Sequence, residues 1–392
     1  MKLLTTLIVF YACALLSPAL RADPAEPSFY GDPPDANHPW AVHDPHRPQP
    51  NLVTPGTFST PEQPGKPPSD AVILFDGTDL SKWEADKQAS EPTKWIVKDG
   101  AMECTPGSGY IRTKDKFGDC QLHIEWAAPT KAEGASQGRG NSGIFLMGMA
   151  EIQVLDNYNN PTYADGFAAS FYGIMPPLAN PLKAPGQYQV VDIIFRRPIS
   201  KDGKILDPGY VTVFLNGVLV QDHTPFTDGP GGHRSRSRFT PFPEKGPLKF
   251  QDHGNPVRFR NVWYRPLPPR ATEGGTDGNL TTEATTAKRK EIAADIRKDA
   301  ETRTGMAQTL RLMESLQYEA DETTFKKVED QTAKYVASLK DTPPAQLDSK
   351  KDQAKYINDA FNLLTKAKAI PADFPPKAEL AKIIKAQGWD KR

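Results

Sequence analysis

Between Ala71 and Leu267 the apolar positions recur at every second residue in short runs, and Gly, Pro, Asn and Asp punctuate them. WIVKDGAMEC reads as strand, Asp-Gly turn, strand, and CQLHIEW, GIFLM, AEIQVLD, YQVVDIIF, YVTVFLNGVLVQD, LKFQD and VRFRNVWY follow as further strands. Asn216-Gly217 supplies the positive φ angles of a tight hairpin turn. About ten strands without a convincing helix predict a mainly β fold, an antiparallel sandwich or jelly roll.

After a Pro-, Gly- and Thr-rich stretch at 268–282 the period changes. Ala287 to Leu316, Glu322 to Leu339, Gln346 to Lys368 and Lys377 to Gln387 carry apolar residues at helical spacing, as in Tyr356, Ile357, Ala360, Phe361 and Leu364. Pro343-Pro344 and Pro375-Pro376 break these segments, and Thr323 and Ser349 are placed near helix starts. Residues 283–392 are expected to form a small helical bundle or tail. Its mixed charges suit a solvated surface, with a protein partner as the alternative.

The first 70 residues belong to neither texture. Lys2, the apolar run Leu3 to Leu16 and the small-residue exit at Ala22 read as a secretory signal over 1–22, too short to span a membrane. Residues 23–70 hold thirteen prolines and form an extended leader in which Trp40 and Val42 are expected to pin the arm onto the following domain. The expected location is therefore secreted or periplasmic. There Cys104 and Cys120 either pair or remain two buried thiols.

Composition removes some classes of partner. Lys+Arg and Asp+Glu both number 48 in the 392 residues, and this neutrality argues against nucleic acid and anionic membranes. Arg234, Arg236 and Arg238, in a long loop between Asp222 and Leu248, are a local basic exception. No diagnostic metal-ligand spacing is present, so neither metal nor cofactor is expected.

Alternation assigns faces. Cys120, Leu122, Ile124 and Trp126 share one side of their strand and leave Gln121, His123 and Glu125 on the other. By the same rule Glu151 and Gln153 oppose Ile152 and Val154, Gln251 and His253 oppose Phe250, and Arg258 and Arg260 oppose Val257, Phe259 and Trp263. A water-bathed outer face would alternate in the same way. These faces, however, are rich in Glu, Gln, His and Arg, which suit the hydroxyls of a sugar, and Tyr158, Tyr163 and Tyr172 offer stacking rings. Glu151-Ile-Gln-Val-Leu-Asp156 is close to the acid-rich strand of laminarinase-type retaining glycosidases, yet Gln153 replaces the central acid and Asp156 has the opposite parity to Glu151. A retaining pair needs two carboxyls about 5 Å apart, which weakens the direct glycosidase reading.

Six ordered motifs carry a family resemblance: LFDGTDLSKW at 74–83, NSGIFL at 141–146, EIQVLDN at 151–157, ASFYGIMPP at 169–177, VFLNGVLV at 213–220 and LKFQDHGNPVRFRNVWYRPL at 248–267. Over roughly residues 70–267 the chain resembles the 3-keto-disaccharide hydrolase family. The resemblance implies a concanavalin-like jelly roll, with 71–267 as the catalytic domain, that binds sugar on its concave face and cleaves glycosides oxidised to a ketone at carbon 3. Such chemistry needs a base for the carbon-2 proton and donors for the enolate oxygen. On this reading Glu151 or His253 is the base, and Arg258, Arg260 and Gln251 are donors. Glu125, Asn141, Gln153, Asp156 and Tyr172 bind the sugar or orient the base. The alternatives are a non-catalytic glycan-binding module and a laminarinase-like glycosidase.

Overall fold

The computed structural model describes residues 29–45, 47–87, 91–226, 240–270 and 281–390. The signal sequence and the arginines at 234, 236 and 238 lie outside the described residues. The chain divides into two compact units, one built from the segment ending at Pro50 together with Thr276 onward, the other spanning Asn51–Gly275.

The second unit is an antiparallel β-sandwich of the jelly-roll type. Its strands begin with β1 (Val72–Phe75), β2 (Trp83–Ala85), β3 (Ile96–Lys98), β4 (Ala101–Glu103) and β5 (Ile111–Thr113). β6 (Cys120–Ala127), β7 (Ser142–Leu146), β8 (Ala150–Val154), β9 (Gln189–Arg196) and β10 (Ile199–Lys201) follow. β11 (Lys204–Asp207), β12 (Tyr210–Leu215), β13 (Val218–Pro225), β14 (Lys249–Phe250) and β15 (Arg258–Pro266) complete it. An eight-stranded sheet runs β13-β12-β9-β6-β15-β4-β3, with β1 also on β15, and a five-stranded sheet runs β2-β5-β14-β7-β8. β10 and β11 form a separate hairpin over an Asp202-Gly203 turn that the sequence reading did not pick out.

Local chemistry sets the turns. Asn216 and Gly217 take φ of 51° and 79°, as a hairpin turn twisted to match its strands requires, and Leu215 pairs with Val218 across it. Ile124, Leu122, Ile144, Ile152, Phe250 and Phe259 meet between the sheets, all at 0% exposure. Cys104 and Cys120 are buried in this core as unpaired thiols, and burial raises both thiol pKa values.

One face assignment is overturned. Pairing between β15 and β6 slips between Arg260 and Trp263, where Asn261 takes φ of 50°. This bulge inverts the parity beyond it. Val262 is in the core, while Trp263 leaves the Val257–Phe259 side and stacks on outward-facing His123 with ring centroids 4.7 Å apart.

In the other unit the helices are α1 (Thr282–Glu301), α2 (Gly305–Tyr318), α3 (Glu322–Asp341), α4 (Pro344–Leu347), α5 (Lys351–Lys366) and α6 (Pro375–Ala386). The segment expected as one helix from Ala287 to Leu316 is thus two. Gly305, at φ of 58°, starts the second. The prolines at 344 and 375 open α4 and α6, positions at which a missing N–H costs nothing. α3 is capped by Asp321, which accepts from the Thr324 N–H, and not by Thr323. Trp40 packs against Ile292, Ile296 and Tyr318 of this helical unit, and Val42 is exposed. The Pro-rich segment is therefore shared: its first part belongs with the helices, whereas residues 51–70 belong with the sandwich.

Candidate active site

The outer face of the five-stranded sheet carries one continuous row of side chains. Cross-strand pairing aligns Glu84 with Arg112, Arg112 with Lys249, Lys249 with Phe145 and Phe145 with Glu151. Period-two alternation sends these five to one side, because Trp83, Ile111, Phe250, Ile144 and Ile152 fill the core on the other.

The charges along this row are unevenly matched. Arg112 pairs with Glu84 at 2.8 Å and with Asp86 at 3.6 Å, and Lys249 reaches Asp86 at 3.3 Å while lying over the Phe145 ring. Both cations are thus held on one side of Phe145. On the other side stands Glu151, to whose carboxyl group no hydrogen bond or ion pair forms among the described residues. Burial alone pushes its pKa up from 4.5 to about 7.

Tyr172 and Tyr110 lie near enough to this carboxyl for its charge to raise the pKa of each hydroxyl. The segment after Ala168 runs beside β8, with the Tyr172 N–H donating to the Glu151 carbonyl at 3.0 Å, and the Tyr172 hydroxyl lies 2.7 Å from that of Tyr163. Burial, the Tyr163 contact and the nearby Glu151 charge raise the Tyr172 pKa. On the opposite side the Gln251 N–H donates to the Gly143 carbonyl, and its Nε2 donates to the Tyr110 hydroxyl at 2.8 Å. That leaves the Tyr110 proton free to be given to a ligand. Tyr110 packs on Phe145, with ring centroids 5.7 Å apart.

Other expected site residues have structural partners. Gln153 donates to Gln137 Oε1 at 2.9 Å and Asn141 donates to the Gln137 carbonyl at 2.7 Å, so both fasten the loop before β7. Gln137 in turn holds Thr162 and the Gly166 carbonyl. Asp156 is buried against Arg139 at 2.9 Å and accepts from the Tyr158 N–H, which makes it a turn anchor. His253 is exposed in the turn after β14, and its side chain makes no hydrogen bond or ion pair among the described residues. Beside it, Asp252 accepts from the N–H groups of Gly109 and Gly254.

Glu125, Arg258 and Arg260 are on the outer face of the eight-stranded sheet and do not share the face of Glu151. Parity within a strand is right for each, but β6 and β15 pair with each other, whereas β7, β8 and β14 belong to the other sheet. Arg258 is held by Glu103 at 2.5 Å. Glu125, at 0% exposure, is met by Arg260 Nε at 2.8 Å, by Asn261 Nδ2 at 2.8 Å and by the Ser59 hydroxyl. Arg260 also donates to the Thr60 carbonyl at 2.8 Å and stacks on Tyr188. Residues 54–69 fold back on themselves, with Thr57 and Lys66 hydrogen-bonded, and strap this cluster. Burial would raise the Glu125 pKa, but hydrogen bonds from His123, Ser59, Asn261 and Arg260 outweigh it and hold the carboxyl at about 2. Burial likewise opposes charge on His123, yet Asp192 at 2.7 Å and Glu125 raise its pKa to about 9.

Comparison with known proteins places the β-sandwich in a family. Residues 70–265 match the 3-keto-alpha-glucoside-1,2-lyase-like domain. The chain belongs to this family. A 3-keto-disaccharide hydrolase of Bacteroides thetaiotaomicron is 25% identical over 244 residues, which cover 50% of this chain and 78% of that protein. A solved Parabacteroides distasonis structure named as a glycosyl hydrolase is 42% identical with a TM-score of 0.52, covering 57% of this chain and 95% of that one. Membership in the 3-keto-alpha-glucoside-1,2-lyase-like family makes the protein a carbohydrate-active enzyme of the glycoside hydrolase type. Tyr110, Phe145 and Lys249 complete the outer face around Glu151, with Gln137 in the loop before β7, and none stood out in the sequence. GYIRT, whose alternation runs through β5, was the available signal for Tyr110.

Proposed function

We propose that the protein cleaves 3-keto-glycosides, with Glu151 as the base. A ketone at carbon 3 acidifies the carbon-2 proton. Glu151 removes that proton, and the electron pair moves to the carbon-3 oxygen as an enolate, toward which Tyr110 is a donor held by Gln251. Collapse of the enolate forms the carbon 1–carbon 2 double bond and expels the carbon-1 oxygen. The departing oxygen takes a proton from water or from the Tyr163–Tyr172 pair, and addition of water to the unsaturated ketone gives the free 3-keto sugar.

The observation carrying this reading is a part-buried carboxyl that no cation or hydrogen-bond donor among the described residues meets, so that burial pushes its pKa up to about 7. A base with this value is half deprotonated at neutral pH and strong enough to accept a proton. Three of the carboxyls that could pair with Glu151 in a retaining glycosidase are engaged by cations, Asp86 and Glu84 by Arg112 and Asp156 by Arg139, which weakens that reading. We further propose that residues 1–22 export the enzyme from the cytoplasm. The test of function is incubation of the purified protein with matched 3-keto and unoxidised disaccharides. Release of product from the oxidised member alone is expected. Cleavage of the unoxidised member would favour a glycosidase, and binding without product would favour a glycan-binding module.

A further inference from the structure

We infer that Gly143 is the positioning residue for Glu151, providing the seat in which the carboxyl group lies, and that Phe145 is the fence separating that seat from Lys249. The inference rests on Glu151 being the functional group of this face. Gly143 lies inside β7, and its φ is outside the left-handed region, so the backbone gives no reason for glycine there. A glycine within a strand forfeits packing and ordering, and often marks a close approach. Space supplies the reason: a Cβ at this position would stand 2.4 Å from Glu151 Oε1, 3.1 Å from its Cδ and 2.9 Å from Phe145 Cε2.

All three obstructing atoms belong to side chains. In Gly143→Ala the backbone therefore keeps its place; the edge of the Phe145 ring has to shift, and so, above all, does the Glu151 carboxyl. Expelled toward solvent, it loses the burial that raises its proton affinity. Phe145 contributes differently, since its ring stands between Glu151 and Lys249 in the cross-strand row and takes the ammonium group on its face. Removal of the ring opens a path for Lys249 to pair with Glu151, which stabilises the carboxylate and weakens the base.

The test is carboxyl-carbon NMR titration of the full protein with labelled glutamate, in which the Glu151 signal is identified by its loss in Glu151→Gln. In Gly143→Ala and in Phe145→Leu the Glu151 midpoint is expected to fall by at least one pH unit. The kcat on a 3-keto disaccharide should fall at least tenfold, and the midpoint of its pH profile should move with the titration. An unchanged midpoint in both variants, or lost activity at an unchanged midpoint, would overturn the inference. If the wild type cleaves no 3-keto disaccharide, the proposed function fails, while the titration still decides the role of Gly143. Should Gly143→Ala be too unstable to titrate, its drop in Tm is compared in the wild-type and Glu151→Ala backgrounds. A smaller drop in the latter is expected, and equal drops would overturn the seat.

Discussion

Glu151 and Glu125 are the same residue type, each turned outward from a strand of one sandwich, and they differ in almost everything else. Glu125 receives Arg260, Asn261 and Ser59 under a strap formed by residues 54–69, and its carboxyl is held at about 2. Glu151 has a glycine beneath it and a phenyl ring between it and Lys249, and its carboxyl rises to about 7. Burial acts on both. What separates them is compensation: a buried charge with partners holds structure together, whereas one without partners is left poised to take a proton.

The sharpest way to break this comparison is to remove each charge in turn. Glu151→Gln should lower kcat on a 3-keto disaccharide by roughly 10²–10⁴-fold, the usual contribution of a general base, with the fold retained. The same variant should be more stable than wild type above pH 7, on the order of 1–3 kcal/mol. The sign follows from a folded pKa raised above 4.5: native Glu151 binds its proton more tightly, so stability declines as pH rises from about 4.5 to 7. Urea denaturation at pH 8 checks this, and a destabilised Gln variant would contradict it.

Next in size is Arg260→Met, which leaves Glu125 buried without its cation and should cost about 3–5 kcal/mol of stability. The kcat of the molecules that remain folded should be unchanged, since Arg260 is on the opposite sheet from Glu151. Parallel loss of kcat would place the arginine in the reaction after all. A smaller effect is expected from Tyr110→Phe, which removes one donor and should reduce kcat about 10–100-fold with little change in KM. The smallest is a pH effect on the strapped cluster. Glu125, with its lowered pKa, contributes stability that is complete above its ordinary 4.5 and lost as pH falls through about 2. His123, with its raised pKa, contributes stability that is complete below 6.5 and lost as pH rises through about 9. This face should therefore be tightest between pH 4.5 and 6.5, and amide exchange of residues 54–69 should be slowest in that window.

How much of this was legible in the chain depends on the range of the signal. Alternation around Leu122, Ile152 and Phe250, and the Asn216-Gly217 turn, are local, and they lead to the antiparallel sandwich directly. Helical spacing around Ile357 and Phe361 does the same for the second unit. Sheet membership is not local. Glu125, Arg260, Glu151 and Gln251 all point away from the core, but only strand pairing tells that the first two and the last two face opposite ways. The Asn261 bulge is similarly silent in a sequence of alternating residues, so Trp263 is assigned to the wrong face. Glu151 is recognisable as a candidate. Its lack of partners is a property of Gly143, Phe145 and Lys249, which contribute from neighbouring strands.

The most direct measurement is the pH dependence of kcat/KM for a 3-keto disaccharide in wild type and in Glu151→Gln, at fixed ionic strength. If Glu151 is the base, activity rises with pH through a midpoint near 7, the value to which burial raises the carboxyl, and the Gln variant loses both the rise and most of the rate. A wild-type profile flat from about pH 5.5 to 8.5, or the same midpoint surviving in Glu151→Gln, would show that another group takes the proton.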